Sequence, residues 1–402
     1  MLKKRIIDAI NKTPFYYKRG YKITENIEEN YPIITKSHVV NSKNDFRSEI
    51  SMTMPPIIVS TSGSSGYPVD FVWNPVDYCS SLMEIWKLRR KFGVSPTDNF
   101  VTAHISFHKG NFMYTNKVII QRNALSLSKV FFDEDTLLYY YNQIIEFKPV
   151  WMLLPPSFLY GFVSYLERRN MRLPSSIKLI ELTGEYCTNE LYSCFKKTYP
   201  EIVWRLLYGM QEFNVIGYGV PDGLHILKNN VAVEILSDKN TKAKVGEEGS
   251  IIVTGLKNTA MPLVRYETGD YGYIDSFGLL HITKSRSNDI LITENGIYDG
   301  SLFWLVILKI KNELKINILQ FQVVLENSIL QIYLKIDFPN KVDTSMLKDY
   351  IINLLSEEYS IKYTIDLFIV DKIQPNKQGN KIKFFINQLE SNKKDCQNNI
   401  LS

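Results

Sequence analysis

Cysteine is scarce in this sequence of 402 residues, which contains four copies, at Cys79, Cys187, Cys194 and Cys396. No two of them form a Cys-x-x-Cys pair, so their spacing fits neither a zinc site nor a disulfide framework. We therefore predict reduced thiols, which are typical of cytosolic proteins, and we expect a cytoplasmic location.

A long uninterrupted apolar run is also missing. The longest apolar stretch, from Val150 to Leu166, is broken by Pro155 and Pro156, and the next, from Leu302 to Leu308, is short. A membrane-spanning helix needs about 18 consecutive apolar residues. The basic start of the chain is interrupted by Asp8, so it forms no apolar signal core. The sequence therefore predicts no membrane partner.

Charge of one sign is not concentrated anywhere in the chain. The net charge is +5, and no dense run of Lys and Arg carries interleaved aromatic residues. This pattern excludes a nucleic-acid surface, whereas mild basicity suits an anionic small molecule such as a nucleotide. Hydrophobic residues make up 45% and charged residues 22% of the chain, the balance of a globular protein, and the length suits two or three domains.

Strand and helix patterns alternate between residues 135 and 215. Strands are predicted at Trp151–Leu154, Ile177–Leu182 and Val203–Leu207, with helices at Ser157–Arg169 and Glu190–Thr198 between them. Strands separated by helices of about ten residues indicate a parallel α/β sheet. Nearer the N-terminus, the pattern predicts a buried strand at Ile57–Ser60 and an amphipathic helix at Tyr78–Phe92.

After Gly219 the sequence changes to short strands and turns, which predicts an antiparallel, partly barrel-like region. Beyond Lys284 the pattern is α+β, with strands at Gln320–Leu325 and Leu330–Lys335 and a helix at Ser345–Glu358. We therefore predict a mixed α/β (α+β) fold whose main domain boundary lies near residues 284–290.

A loop rich in serine and glycine follows the first predicted strand. It reads Ser-Thr-Ser-Gly-Ser-Ser-Gly-Tyr-Pro from Ser60 to Pro68. Glycine lets the backbone approach a ligand closely, and exposed N–H groups and hydroxyls can surround phosphate oxygens. No Gly-Lys-Ser/Thr follows, so this is not the Walker loop of a P-loop NTPase. A phosphate-binding loop is one interpretation and a flexible linker is the other.

The segment Tyr-Gly-Met-Gln-Glu follows the strand predicted to end at Leu207 and occupies residues 208–212. Open α/β sheets bind ligands in loops at the carboxyl ends of parallel strands. Tyr208 could stack on a purine there, and Glu212 could hold Mg²⁺ beside phosphates. A surface turn is the alternative.

The segment Val-Arg-Tyr-Glu-Thr-Gly-Asp occupies residues 264–270. An aspartate that follows a Thr-Gly turn suits the two hydroxyls of a ribose. The alternative is a tight hairpin, because Thr, Gly and Asp all favour turns.

Two further segments lie toward the C-terminus. Ser-Arg-Ser-Asn-Asp-Ile occupies residues 285–290, and Pro-Asn-Lys-Gln-Gly-Asn-Lys occupies residues 375–381. A lysine beside a glycine on a loop could move into a site and neutralise developing charge, although most such lysines are solvated.

In this order, the five segments resemble those of the adenylate-forming superfamily of acyl- and aryl-CoA synthetases, luciferases and peptide-synthetase adenylation domains. The likeness is closest to the phenylacetate–CoA ligase branch. It is strengthened by Thr-Pro-Phe-Tyr-Tyr at residues 13–17, Lys-Phe-Gly-Val-Ser-Pro-Thr-Asp at 91–98 and Leu-Thr-Gly-Glu at 182–185.

The resemblance implies an acid–thiol ligase that uses ATP and Mg²⁺ to convert a carboxylic acid to an acyl-adenylate, releases pyrophosphate and transfers the acyl group to CoA. It implies a large AMP-binding domain at residues 1–286 and a small mobile C-terminal domain at residues 287–402, joined by a hinge at Asn288 or Asp289. Transfer to a carrier-protein phosphopantetheine or to an amine is the alternative, and a non-catalytic nucleotide or acyl binder is a third reading. The sequence sets no oligomeric state, and a homodimer stays open.

The resemblance also assigns roles to individual residues. It makes Lys381, Glu212 and Arg286 catalytic, with Glu212 as the metal ligand. An aromatic or small hydrophobic acid would contact His104, Phe107, His108 and Phe112. The nucleotide would contact a larger set, in which the Ser/Gly loop holds phosphates and Asp270 holds the ribose: Ser62, Gly63, Ser64, Ser65, Gly66, Gly184, Glu185, Tyr208, Gly209, Met210, Gln211 and Asp270.

Several positions depart from the family pattern. Tyr67 stands where the phosphate loop commonly has lysine, and Gln211 replaces the usual Thr or Ser before the glutamate. Ser285 replaces a glycine, and Asn288 replaces the customary aspartate at the hinge. The residues with the main proposed roles are retained, so we expect activity.

Overall fold

A computed structural model describes most of the chain, and the chain forms two compact units. Unit 1 comprises Met1–Pro96 and Arg205–Arg286, and unit 2 comprises Thr97–Trp204 and Ser287–Ser402. The elements below confirm a mixed α/β fold. The described residues are 4–21, 31–60, 69–104, 108–109, 112–113, 116–129, 134–237, 241–284, 290–293, 296–299, 302–359, 361–373 and 385–387.

The elements are numbered in chain order. The helices are α1 (Lys4–Asn11), α2 (Pro14–Tyr17), α3 (Lys36–Asn41), α4 (Pro75–Arg90), α5 (Glu134–Phe147), α6 (Pro156–Arg168), α7 (Asn189–Thr198), α8 (Leu302–Lys309) and α9 (Thr344–Tyr359). The strands are β1 (Ile57–Ser60), β2 (Asp70–Trp73), β3 (Phe100–His104), β4 (His108–Lys109), β5 (Phe112–Met113), β6 (Val118–Gln121), β7 (Ala124–Ser128), β8 (Trp151–Leu154), β9 (Leu179–Thr183), β10 (Val203–Met210), β11 (Asn214–Val220), β12 (Gly223–Ile226), β13 (Val231–Leu236), β14 (Gly249–Gly255), β15 (Tyr266–Ile274), β16 (Leu279–Lys284), β17 (Ile290–Thr293), β18 (Gly296–Asp299), β19 (Ile318–Glu326), β20 (Ile329–Ile336), β21 (Thr364–Ile369) and β22 (Phe385–Asn387).

The antiparallel sheet predicted after Gly219 is present in unit 1. Its strands follow the order β13-β14-β15-β16-β12-β11-β10, and neighbouring strands in this order pair antiparallel. Tyr208 on β10 hydrogen-bonds Asp270 on β15, although three strands separate β10 from β15 in this order. The sheet must therefore curl on itself, which agrees with the barrel-like region that the sequence predicts.

The N-terminal helices of unit 1 are held by an aromatic core. Phe15 and Phe46 stack with ring centroids 4.0 Å apart, and Tyr16 is fully buried. The Tyr16 hydroxyl donates to the carbonyl of Pro262 at 3.1 Å and accepts from the N–H of Val264 at 3.1 Å. Because a buried hydroxyl needs such partners, Tyr16 ties the N-terminal helices to the chain that enters β15.

The strand predicted at Ile57–Ser60 is present, but it is not buried. It pairs with β2 in a separate two-stranded hairpin, and Ile58 is 59% exposed. A short β-branched run looks the same in a sheet interior and in a half-exposed hairpin, so the prediction of a strand was correct and the prediction of its burial was wrong.

Helix α4 begins where the sequence supplies a cap. Asn74 accepts a hydrogen bond from the N–H of Val76 at 3.0 Å, and Pro75 occupies the first turn. Asp77 in that turn is almost fully buried, is paired with Arg5 at 2.9 Å, and accepts from the Thr259 N–H at 3.0 Å. The helix start is therefore fixed to both N- and C-terminal parts of unit 1.

Unit 2 contains the predicted parallel sheet. The strand order is β9-β8-β3-β7-β6, and β9, β8, β3 and β7 pair in parallel. The carboxyl ends of parallel strands meet at one edge, so the last residues of these strands lie along the same edge: His104, Ser128, Leu154 and Thr183.

The rest of unit 2 is α+β, as predicted beyond Lys284. We call residues 302–387 the C-terminal segment. Its sheet has the order β21-β20-β19-β22, and β19 packs against helix α6. No helix in the described part of the chain is long and apolar enough to cross a membrane.

Candidate functional site

Two hydrogen bonds in unit 1 join the segments at residues 208–212 and 264–270. The Tyr208 hydroxyl donates to Asp270 Oδ2 at 2.8 Å. The Tyr266 hydroxyl donates to Glu212 Oε1 at 3.2 Å. Each segment supplies one tyrosine and one carboxylate, so the two sequence motifs hold each other in place.

The carboxylates at this junction are buried. Glu212 is 4% exposed and Asp270 is 8% exposed. Burying a charge is costly unless it is paired or hydrogen-bonded, so each of these carboxylates needs a cation or hydrogen-bond donors.

Asp270 lies in a bulge inside strand β15, not in a turn between strands as the sequence suggested. Three residues of β15 lie opposite the single residue Ile251 of β14. Gly269 adopts a left-handed φ of 82°, which glycine tolerates without steric cost. The Thr268 hydroxyl donates to the Ile251 carbonyl at 2.9 Å and accepts from the Asp270 N–H at 3.1 Å. The bulge therefore orients Asp270.

Glu212 lies in the hairpin turn that follows strand β10. Strand β10 continues past the predicted end to Met210, and β11 returns antiparallel from Asn214. The turn is anchored because the indole N–H of Trp73 donates to the Gln211 carbonyl at 3.1 Å. The sequence pattern located the segment correctly, but it could not distinguish a strand that turns back from one that enters a helix.

The position of Gly209 leaves no room for a side chain. A Cβ there would lie 2.3 Å from the Asn214 carbonyl oxygen, on the strand that pairs with it, and the register shifts between Tyr208 and Gly209. Backbone of a paired strand cannot move aside without breaking the hairpin.

We expect Gly209→Ala to destabilise unit 1 by about 1–3 kcal/mol, because overpacking forces the hairpin backbone to shift. Thermal denaturation followed by circular dichroism measures this loss. The matched control is Gln211→Ala in the same hairpin, whose exposed side chain predicts little change. Equal melting temperatures for Gly209→Ala and the wild type would contradict the close approach.

The Ser/Gly loop is carried by the hairpin of β1 and β2. Ser60 pairs with Asp70 in the register of the hairpin, and the Ser60 hydroxyl donates to Asp70 Oδ1 at 2.6 Å. Lys43 contacts Asp70 Oδ2 at 2.8 Å. The Lys43 ammonium, followed by the Ser60 hydroxyl, lowers the pKa of Asp70. The two ends of the loop are thus fastened together beside a lysine.

In unit 2, Gly184 and Glu185 follow strand β9. Gly184 has a left-handed φ of 81°. Glu185 Oε2 accepts a hydrogen bond at 3.1 Å from the N–H of Ser157, in the first turn of α6. A carboxylate there is stabilised by the positive end of the helix dipole, so the Glu185 side chain is engaged within unit 2.

A small cavity of about 30 Å³ lies beside Glu185. Burial lowers the pKa of Lys129, while the charge of Glu185 acts in the opposite direction. Water needs roughly 10–15 Å³ of such space, so the cavity suits a few water molecules rather than an acyl group. Its lining residues are Lys129, Ser157, Phe158, Glu185, Trp304, Leu319, Gln320 and Phe321.

Three of the four residues proposed to contact the acid lie on short strands. His104 ends strand β3, at the carboxyl edge of the parallel sheet. His108 and Phe112 lie on β4 and β5, which pair with each other. The following residues of the predicted site lie outside the described residues: Ser62, Gly63, Ser64, Ser65, Gly66, Phe107, Arg286, Asn288, Asp289 and Lys381.

The donor set of unit 1 fits Mg²⁺ that arrives with a nucleotide. Among the described residues, no group of three or more His, Cys, Asp or Glu side chains could hold a metal ion. Mg²⁺ is usually bound through one or two carboxylates together with substrate phosphates, and the buried carboxylate of Glu212 supplies such a ligand.

Sequence reasoning missed Tyr266, Lys43, Asp70 and Lys129. Tyr266 lies inside the segment at residues 264–270, but nothing in that segment indicated its contact with Glu212. The Lys43–Asp70 pair had no local signal either, since its partners lie 27 positions apart in the sequence.

The chain shares its fold with acyl- and aryl-CoA ligases of the adenylate-forming superfamily. It is similar to 2-hydroxyisobutyryl-CoA ligase in the postadenylation state in complex with 2-HIB-AMP, with a TM-score of 0.73 and 13% identity over 99% of this chain and 90% of that chain. A structure of the same ligase in complex with 2-HIB-AMP and CoA, in the thioesterification state, gives a TM-score of 0.57 and 14% identity over 98% and 90% of the two chains. The anthranilate CoA ligase AuaEII in complex with anthranoyl-AMP gives a TM-score of 0.56 and 17% identity over 85% and 67%.

No protein-family model matches the sequence, and no curated protein matches it either.

Proposed function

We propose that this protein is an acid–thiol ligase that activates a carboxylic acid with ATP and Mg²⁺ and transfers the acyl group to CoA. The observation that carries the proposal is the reciprocal pair of hydrogen bonds between Tyr208 and Asp270 and between Tyr266 and Glu212. These bonds unite the two segments to which the family resemblance gives the nucleotide and the metal, in a chain with the fold of such ligases.

In this proposal the residues of unit 1 bind the nucleotide. Asp270 accepts hydrogen bonds from the ribose hydroxyls, and Tyr208 keeps its carboxylate oriented until the ribose arrives. Glu212 would hold Mg²⁺, and the Tyr266 hydroxyl orients the Glu212 carboxylate through its hydrogen bond to Oε1. The Ser/Gly loop at residues 62–66 takes the β- and γ-phosphates.

The first half-reaction forms one bond and breaks one. A carboxylate oxygen of the acid attacks the α-phosphorus of ATP, the bond from that phosphorus to the bridging oxygen breaks, and pyrophosphate leaves. The attacking and attacked groups are both anionic, so the protein must supply cations and positioning rather than a nucleophile. We assign Lys381 and Arg286 to this charge compensation, while Mg²⁺ supplies further positive charge when bound.

The second half-reaction replaces the phosphoanhydride with a thioester. The thiolate of CoA attacks the acyl carbonyl, and AMP leaves with the oxygen that joined it to the acyl group. CoA is the favoured acceptor because a ligase of similar fold has been solved in complex with both an acyl-AMP and CoA. A carrier-protein phosphopantetheine presents the same thiol chemistry and is the alternative acceptor.

The remaining assignments are part of the same proposal. The acid, aromatic or small and hydrophobic, contacts His104, Phe107, His108 and Phe112. Gly184 and Glu185 contribute to the adenine pocket. Residues 1–286 form the AMP-binding domain, and residues 287–402 move about Asn288 or Asp289 between the half-reactions.

The proposal is tested by ATP–pyrophosphate exchange over a panel of aromatic and short aliphatic acids, with products identified by mass spectrometry. We expect exchange that depends on one class of acid, and a thioester that forms only when CoA is added. Exchange without a CoA thioester would assign the acceptor to a carrier protein or an amine. Absence of acid-dependent exchange across the panel, in protein that is folded, would refute the ligase.

A further inference from the structure

The C-terminal segment is attached to helix α6 through a buried charge pair. The guanidinium of Arg168, at the end of α6, forms an ion pair with Asp337, which follows β20. The Arg168 side chain is 19% exposed and the Asp337 side chain is 7% exposed. Surface ion pairs contribute little, whereas removing one partner of a buried pair leaves an uncompensated charge. This contact therefore contributes to holding the segment on α6.

Asn317, which precedes β19, hydrogen-bonds both Asp337 and helix α6. Its amide nitrogen donates to Asp337 Oδ2 at 3.2 Å and to the Ser164 carbonyl at 3.3 Å, and its carbonyl accepts from the Asp337 N–H at 3.0 Å. Asp337 is thus oriented by its own segment while it faces Arg168.

Phe338, next to Asp337, has an unusual backbone conformation. It adopts a left-handed backbone, with φ 55° and ψ 60°, which is strained for a bulky residue. The Arg168 guanidinium lies 4.6 Å from the centre of the Phe338 ring, a distance typical of cation–π contacts. Strained backbone persists where surrounding contacts impose it and often marks a switching or clamping site. Arg168 is held by a carboxylate and a ring whose backbone is under strain, and we call these three residues the clasp.

The Arg168 guanidinium also faces a second carboxylate. Glu134 lies 3.9 Å from Arg168 and also pairs with Arg169, so it competes with Asp337 for this guanidinium. A part-buried pair with an alternative partner is suited to release.

A second set of contacts joins the segment to residues 160–167 of α6. Lys311 approaches Glu167 Oε2 at 2.7 Å and Ser164 Oγ at 3.4 Å. The rings of Tyr160 and Trp304 meet edge to face with centroids 5.2 Å apart. The contact with α6 thus combines ion pairs with an aromatic contact.

We propose that Arg168 is a positioning residue of the ligase: the clasp holds the C-terminal segment on α6, and its release sets the balance between the two half-reactions. The inference rests on the proposed function, in which residues 287–402, including Lys381, change position between adenylation and thioester formation. A contact that the protein makes in only one of two conformations raises the population of that conformation and lowers the population of the other. Weakening the clasp must therefore change the two half-reactions unequally.

The test compares Arg168→Met with the wild type in both half-reactions. Methionine keeps the length and the apolar stem of the side chain but removes the charge. We expect the ratio of the adenylation rate to the rate of thioester formation from preformed acyl-adenylate to change at least tenfold. Arg168→Lys should restore most of the ratio. The matched control is Arg172→Met, which breaks an exposed ion pair with Glu201 just beyond α6 and should leave the ratio unchanged.

A second variant guards against simple misfolding. Phe338→Asn removes the ring but allows the left-handed backbone, so it should change the ratio in the same direction as Arg168→Met with little loss of melting temperature. An unchanged ratio in both variants, or equal loss of both half-reactions, would overturn the clasp.

Hydrogen–deuterium exchange separates failure of this inference from failure of the proposed function. If the wild type catalyses neither half-reaction, the proposed function fails. Arg168→Met should even then increase exchange in α6 and β19 without a similar increase in β8 and β9, and unchanged protection of α6 and β19 would overturn the clasp.

Discussion

Replacing Glu212 by glutamine should lower acid-dependent ATP–pyrophosphate exchange by about 100- to 1,000-fold, the usual range for loss of a group that stabilises transition-state charge. Glutamine keeps the size of the side chain and an oxygen that can accept the bond from Tyr266, which lies 3.2 Å from Glu212 Oε1. The substitution therefore removes the negative charge that binds Mg²⁺ while it leaves the hairpin contacts in place.

The measurement is the exchange rate as a function of Mg²⁺ concentration, with the melting temperature recorded for each variant. We expect Glu212→Gln to require more Mg²⁺ and to stay slow at saturation. The matched control is Tyr266→Phe, which removes only the hydrogen bond to the carboxylate and should reduce exchange by roughly tenfold or less, in line with a contribution of about 0.5–1.5 kcal/mol for one hydrogen bond. Wild-type exchange in Glu212→Gln at every Mg²⁺ concentration would remove Glu212 from the site.

Replacing Lys381 by alanine should reduce acyl-adenylate formation by about 100- to 1,000-fold and leave thioester formation from preformed adenylate nearly intact. Lys381 is assigned to the contact with the acid and the α-phosphate, where two anionic groups must approach each other. Once the adenylate exists, the thiolate attacks the acyl carbonyl, and the same cation is no longer required.

The two half-reactions are measured separately, with synthetic acyl-adenylate as the substrate of the second. Lys377→Ala and Lys383→Ala are the controls, because both lysines lie within four residues of Lys381 in the sequence and carry the same charge. Equal loss of both half-reactions in Lys381→Ala would contradict the assigned role, and a larger effect of Lys377→Ala or Lys383→Ala would move the role to that lysine.

Local patterns predicted the layered part of the fold well. The strands at Trp151–Leu154 and near Ile177–Leu182, with the helices around them, appear within a few residues of their predicted ends. These elements are recognisable because buried parallel strands and amphipathic helices leave periodic apolar patterns. The same patterns did not reveal that Ile58 is exposed or that β10 turns back into β11, because those outcomes depend on which strand lies alongside.

For the two nucleotide motifs, too, the sequence predicted the candidate residues but not their contacts. The order and composition of the segments at residues 208–212 and 264–270 were sufficient to name Tyr208, Glu212 and Asp270 as candidates. Nothing in either segment indicated that each would provide a tyrosine for the carboxylate of the other. Clasp residues Arg168 and Asp337 are further apart still, 169 positions from each other in the sequence, and no local pattern connects them.

By itself, the sequence determined the alternation of strands and helices, the absence of a long apolar run and the presence of phosphate-, metal- and ribose-type segments. Each of these depends on residues within about twenty positions of one another. Tertiary structure alone decided that the antiparallel sheet curls until β10 and β15 meet, and that the C-terminal segment closes on α6. The physical reason is that side-chain partners are chosen by distance in the folded chain, where a buried charge must find an opposite charge or a hydrogen bond wherever the backbone brings one within reach.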